Sequence, residues 1–421
     1  MRDTLPGYDY LNLLRFFPRS IFYALCLGLL IACYLKYGLK RKTLFSNYFV
    51  LGIVYLTIIS FLLNSGDLVS TFQGIFYFFS PLLVFQIVYN LPSKFLSLDK
   101  GINFYLGFLA INIPIALYLF FSYGLTSDFS NYNPYDVVSG FFAESHAFGI
   151  FILLCIALLI YRIKQTGDLK YKVFLAVSIF VEIVCYNEKL MVLLLVVLFF
   201  YFIFQFSGYF KVKVALILVT ILMGVQVYTI IDNRIGIVSN YSFWNLPVFE
   251  SYENVGSVFY ENPQYFITGS GFGEYGTIMV HTKVDDGSFP QLAKEYNYVS
   301  IMRVVNPKAL PSSVLASFAS SIQIPLNTLT SLIVEVGVLI TILLAFFYLV
   351  ILKNLWLSKS LTKHIGILKK GLAIYLICIY LYANVAVFGS FDDFVTTIPF
   401  VTIAALIFKE ENKKSIFIYY G

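Results

Sequence analysis

Charge is scarce in this 421-residue chain: Asp, Glu, Lys and Arg make up 12% of it, against roughly 25% in an ordinary soluble domain. That shortage, beside 59% hydrophobic residues, excludes a soluble multidomain enzyme, a nucleic-acid binder and a disordered scaffold. Cysteine is sparse too. The five cysteines (Cys26, Cys33, Cys155, Cys185 and Cys378) sit singly in apolar runs, with no CxxC, so no disulfide framework or thiolate metal site is implied. The three histidines (His146, His281 and His364) lie far apart, and none has another ligand at metal-site spacing, so no metal is expected on protein ligands. No repeat of fixed period is visible, and the formal charge of +6 describes membrane sidedness rather than a ligand.

What the chain has in excess is long apolar runs. At about 20 residues per crossing, hydropathy gives about eleven candidate spans, near residues 20–37, 44–63, 69–89, 102–123, 145–161, 171–186, 190–206, 214–231, 324–352, 372–388 and 391–408. Residues 8–17 form an interfacial helix or half of a twelfth span. The runs are apolar all round, without alternation of period two, so the expected fold is an all-α polytopic helix bundle and not a barrel. The first run is followed by Lys36, Lys40, Arg41 and Lys42 without a small-residue cleavage site, and reads as a retained anchor.

Basic residues orient the bundle, because Lys and Arg in short loops stay cytoplasmic. The clusters at Lys36–Lys42, Lys94 and Lys100, Arg162–Lys172, Lys211 and Lys213, Lys353–Lys370 and Lys409–Lys414 fall on alternate connections, and the loops between them carry Asp but hardly any Lys or Arg. Three parts follow: an N-terminal bundle over residues 1–231, an extracytoplasmic polar loop over residues 232–323, and a C-terminal bundle with a cytoplasmic tail over residues 324–421. The N-terminal arginines Arg2, Arg15 and Arg19 oppose the outside N-terminus that strict counting requires.

The few extracytoplasmic cations are then informative: Lys189, Arg234, Lys283, Lys294, Arg303 and Lys308. Lys189 and Arg234 are expected near the outer phosphate depth, where they either bind a lipid phosphate or merely snorkel. Gly269-Ser270-Gly271-Phe272-Gly273 is a glycine-dense turn able to bring backbone N–H groups close to an anion or to another chain; without a nucleotide-binding context, a plain tight turn is the simpler reading. Glu144-Ser145-His146 opens the fifth run, where the acid is either a cap or a general base. Glu182 and Glu335 lie inside spans, and ionisable groups at that depth are functional candidates. Asn327, Ser331 and Glu335 follow each other at intervals of four and form a polar stripe for interhelical hydrogen bonds or substrate contact.

In their order along the chain these elements resemble the bacterial O-antigen polymerases and O-antigen ligases. Phe142-Ala143-Glu144-Ser145-His146 is similar to that family's Glu-Pro-Ser element, without the proline. Asn187-Glu188-Lys189 stands where members often carry Ser-Arg. Asn262-Pro263 followed by Gly269, Gly271 and Gly273 looks like its Asn-Pro and Gly-x-Gly-x-Gly element, and Asn327 to Gly337 like its Asn-to-Glu-x-Gly helix opening. The resemblance implies a metal-independent, inverting glycosyltransferase without cofactor in a bacterial inner membrane, its active site facing the periplasm. Its donor would be a glycan on undecaprenyl diphosphate, with membrane lipids, a chain-length regulator and a flippase as further partners and no nucleic acid. Under it, Arg234, Lys189 and Arg303 hold diphosphate and stabilise charge on the leaving group, Glu144 and His281 are candidate general bases, and Gly269, Gly271, Gly273, Asn327 and Glu335 line the substrate site.

The resemblance favours the polymerase, which extends a second lipid-linked repeat unit, over the ligase, which delivers glycan to lipid A core. The only histidine of the large loop, His281, lies in its middle, whereas a ligase would place one late. The rivals from other classes are a transporter using Glu182 and Glu335 as coupling groups, and a structural membrane subunit.

Overall fold

A computed structural model describes residues 19–38, 45, 47–64, 68–124, 138, 140–142, 145–185, 247–271, 328–357, 362–384 and 394–420. Among these residues the regular structure is entirely helical: α1 (Arg19–Cys33), α2 (Asn47–Asn64), α3 (Leu68–Asn90), α4 (Leu98–Leu119), α5 (Ser145–Thr166), α6 (Leu169–Val184), α7 (Pro247–Glu261), α8 (Tyr265–Thr268), α9 (Thr328–Leu357), α10 (Lys363–Ala383) and α11 (Phe394–Tyr420). Single π-turns, Tyr34–Gly38 and Phe120–Gly124, extend α1 and α4. Among the described residues, four helical stretches are long and apolar enough to cross a membrane: Leu98–Ser122, Ala147–Thr166, Leu329–Leu357 and Lys363–Ala383. Shorter apolar helices cover Leu25–Gly38, Phe49–Ile59 and Gly74–Asn90. The all-helical expectation is met, with apolar helices of the kind a membrane protein needs.

The first six and the last three hydropathy runs coincide with helices, while the runs at 190–206 and 214–231 lie outside the described residues. Two boundaries move substantially, and one is the end of the last run, whose helix continues past residue 408 to Tyr420. The run placed at 372–388 belongs to a helix that begins at Lys363, where Thr362 caps the first turn by accepting from the Ile365 N–H at 3.3 Å. Hydropathy misses that start because Lys369 and Lys370 depress it, yet Lys369 is buried and its Nζ donates to both carboxylate oxygens of Glu411 at 3.0 and 3.1 Å. A charge neutralised inside the bundle no longer behaves as a water-seeking group.

Packing follows the helical stripes. α3 lies against α1 and α11, α5 against α6 and α10, and α4 against α5 and α11. Gly371 brings α10 onto Ala157 of α5, where an added Cβ would stand 3.0 Å from the alanine Cβ; small residues permit such close helix contact in apolar surroundings. Elsewhere the core is aromatic, with Phe45, Phe85 and Phe347 in mutual ring contact at 4.8 to 5.8 Å.

The two ends of the bundle differ. One end carries the basic connections and is tied by polar contacts: Arg162 at the end of α5 meets Asp99 at 2.7 Å and Asn103 at 2.9 Å on α4. Lys409 of α11 reaches the Leu96 carbonyl at 3.4 Å, and Asn412 bonds the Tyr89 hydroxyl. The opposite end collects Asn64, the α7–α8 pair and the first turns of α9, and the candidate site is there.

Candidate functional site

A broken helix organises this end. Gly337 adopts φ 82°, ψ 160° inside α9, a conformation essentially restricted to glycine. An α-helix bonds each carbonyl to the N–H four residues on, so the break releases carbonyls that must find donors elsewhere. The glycine turn supplies them. The Ser270 N–H donates to the Val334 carbonyl at 2.8 Å, and the Gly271 N–H to the Glu335 carbonyl at 3.0 Å. Below the break the Thr341 hydroxyl donates to the Gly337 carbonyl at 2.8 Å.

The approach leaves no room for side chains. A Cβ on Gly269, itself at φ 71°, would run into the Glu335 carbonyl, and one on Gly337 would stand 2.5 Å from the Ile267 oxygen and 2.9 Å from the Gly269 nitrogen. Asn64, the last residue of α2, clamps the turn from the other side through an Nδ2 donation to the Gly269 carbonyl at 2.7 Å. α7 leads into the turn: its Val258 packs with Val334, Phe259 meets Phe266 edge to face at 5.5 Å, and the Tyr252 hydroxyl donates to Asn384 at the end of α10 at 2.7 Å.

The expected site residues divide accordingly. Gly269, Gly271 and Glu335 come together at this junction, and Glu335, Ser331 and Thr330 are all buried. The amides of Gly269, Ser270 and Gly271 are donated to the carbonyls of Tyr265, Val334 and Glu335. Of the roles weighed for the turn, the structural one is formed, with a distant segment of its own chain as acceptor. The side chains nearest the turn are therefore what could meet a ligand, and the buried Ser270 hydroxyl has no hydrogen-bond partner. Arg234, Glu144, His281, Lys189, Arg303, Gly273 and Asn327 lie outside the described residues. α5 does open at Ser145, as the Glu144-Ser145-His146 reading requires.

A second group gathers where α5 begins and α6 ends, beside Asn112 of α4. Asn112, fully buried within α4, accepts the Phe141 N–H at 2.8 Å and donates to its own helix at the Phe108 carbonyl. Gly140, at φ 59°, lies so close to Asn112 that a Cβ would stand 2.7 Å from its Oδ1. Cys185, after the last turn of α6, donates its thiol to the Val138 carbonyl at 3.3 Å. Phe142 packs against Phe148 and Phe151 of α5. The short run that leads to Glu144 is thus pinned to Asn112 inside α4, to the first turns of α5 and to the end of α6. Glu182 lies one turn before Cys185; it is 5% exposed, and its Oε2 has no hydrogen-bond partner. Asn112 escaped the sequence reading, although a lone amide within an apolar run is the signal that marks such positions.

Among the described residues, no three of His, Cys, Asp and Glu gather as a metal-binding group. No family model, curated protein or solved structure matches this chain.

Proposed function

We propose that the chain is a polytopic glycosyltransferase of the O-antigen polymerase kind, moving a glycan from undecaprenyl diphosphate to the non-reducing end of another lipid-linked repeat unit. One observation carries the reading: the Asn-Pro and Gly-x-Gly element and the Glu-x-Gly element, far apart in sequence and each resembling that family, meet backbone to backbone at Gly269 and Gly337. In this reading the chain crosses a bacterial inner membrane eleven or twelve times, and residues 232–323 face the periplasm. The junction anchors that loop to the bundle, and Arg234, Lys189 and Arg303 bind the diphosphate. The leaving group is already stable as an anion, so fixed cations suffice to stabilise the charge that develops as the C–O bond breaks. Glu144 or His281 takes the acceptor proton, and displacement is direct, with inversion and without metal.

The glycan phenotype of a deletion strain tests this. Single capped repeat units indicate a lost polymerase. Polymer that accumulates on the lipid carrier without reaching lipid A core indicates a ligase instead, and unaltered glycan overturns both.

A proton-coupled carrier is the second reading, favoured by the buried Glu182 carboxyl with its unpartnered oxygen, since such groups often serve as coupling sites inside bundles. Under it, Glu182→Gln uncouples uptake into proteoliposomes from an imposed pH gradient. Glycan elongation by the purified variant at the wild-type rate opposes it.

A further inference from the structure

The α8 turn exposes large apolar side chains in the middle of an otherwise well-packed junction. Phe266 is 51% and Ile267 62% exposed, and α8 carries no charged residue. The acidic residues of this region belong to other helices, Glu250, Glu253 and Glu261 to α7 and the buried Glu335 to α9. An exposed apolar cluster of this kind needs an occupant.

Its depth in the bundle indicates which. From the break at Gly337 to the end of α9 at Leu357 the helix runs about 20 residues, or roughly 30 Å at 1.5 Å per residue, which is the thickness of a hydrocarbon core. α2, of 18 residues, spans roughly 27 Å by the same rise and ends at Asn64, the residue that holds the Gly269 carbonyl. Two helices therefore place α8 independently at one hydrocarbon thickness from the basic end.

Both helices carry exposed apolar stripes at helical spacing: Leu51, Tyr55 and Ile58 on α2, and Leu339, Ile342, Phe346 and Leu349 on α9. The break at Gly337 touches the backbone of Ile267 and lies two residues before Leu339. The backbone of Ile267 thus meets α9 two residues before the exposed stripe of that helix begins.

We infer that α8 is a membrane-interface anchor, seating Phe266 and Ile267 in the headgroup–acyl boundary of the outer leaflet. A lipid surface fits because aromatic and apolar side chains at that depth gain burial without leaving backbone groups unpaired: the N–H groups of α8 donate to the carbonyls of Asn262, Pro263 and Gln264, and those of the following Ser270 and Gly271 to α9. The inference rests on the membrane reading and not on the glycan chemistry. Its consequence for the proposed enzyme is that the large loop is held, at α8, to the lipid surface where a polyprenyl-linked donor would lie.

The test uses the full chain in vesicles of phosphatidylethanolamine and phosphatidylglycerol. The chain has two tryptophans, Trp244 and Trp356, so Trp244→Phe leaves Trp356 alone at the opposite end of α9, and Trp244→Phe/Trp356→Phe/Phe266→Trp leaves a single indole at position 266. The expected result is loss of emission from position 266 with lipids brominated near the glycerol, a smaller loss with deep bromines, and shielding from acrylamide. Full acrylamide quenching without bromine quenching, while Trp356 is quenched by bromine, overturns the inference. Shielding from both quenchers means that a second copy of the chain covers the patch and overturns it equally. Lack of bromine quenching at Trp356 as well overturns the membrane reading itself. Ile267→Trp in the same background carries the test if Phe266→Trp fails to fold.

Discussion

Gly269 and Gly337 face each other so closely that neither can carry a Cβ. Each has a positive φ, so alanine at either position meets two penalties, a strained backbone and a clash with the opposite main chain. The strain alone costs about 1–3 kcal/mol. Gly269→Ala and Gly337→Ala should each lower the thermal unfolding midpoint in detergent and open the α7–α8 segment to protease. Gly52→Ala, where nothing lies within 4 Å, should be neutral or stabilising. Equal midpoints for all three variants would show that the junction does not hold this end together.

How much of this was legible beforehand differs by feature. Helix positions were legible, because all-round apolar runs can satisfy their backbone only as helices in an apolar phase. The glycine turn and the Glu-x-Gly stretch were both visible as sequence elements, but their contact was not. A glycine inside an apolar run gives no sign of whether it continues the helix or breaks it, and only the partner strand of backbone at Ser270 and Gly271 decides. The start of α10 was hidden for an electrostatic reason, since hydropathy counts Lys369 as exposed and has no knowledge of Glu411.

That buried pair yields a second prediction. Lys369 is 1% exposed and Glu411 is largely buried, so Lys369→Met leaves a carboxylate without its cation, a change worth up to about 3–5 kcal/mol for buried pairs. Lys369→Met/Glu411→Gln removes both charges and should recover most of the loss. A double variant as unstable as the single one would mean that packing of the lysine stem, and not charge, is what matters. Unfolding midpoints of the three proteins decide.

Asn112 gives a third. It accepts the Phe141 N–H at 2.8 Å from within α4, and an amide deprived of its buried acceptor costs about 1–3 kcal/mol. Asn112→Ala should therefore speed hydrogen exchange at Phe141 and its neighbours before it affects the rest of α4. If Glu144 takes part in the reaction, the same variant should lose turnover without losing donor affinity. Unchanged exchange at Phe141, with faster exchange only within α4, whose Phe108 carbonyl Asn112 also bonds, would limit its role to its own helix.

Arg234 carries the sharpest prediction about chemistry. An arginine offers a planar fork that matches two phosphate oxygens, whereas lysine is a point charge on a flexible stem. If Arg234 grips the diphosphate as the glycosidic bond breaks, Arg234→Ala should abolish chain extension in cells while membrane insertion stays intact. Arg234→Lys should restore only part of it. Removing a donor aimed at developing negative charge costs about 10²–10³ in rate in comparable sites, so the loss should appear in turnover more than in donor affinity. The wild-type protein, given lipid-linked oligosaccharide together with a chelator, should still elongate it, because the cations in this scheme are side chains. Strict dependence on a divalent ion would transfer the charge-stabilising role from Arg234 to a metal, and normal long-chain glycan from Arg234→Ala would remove the arginine from the site.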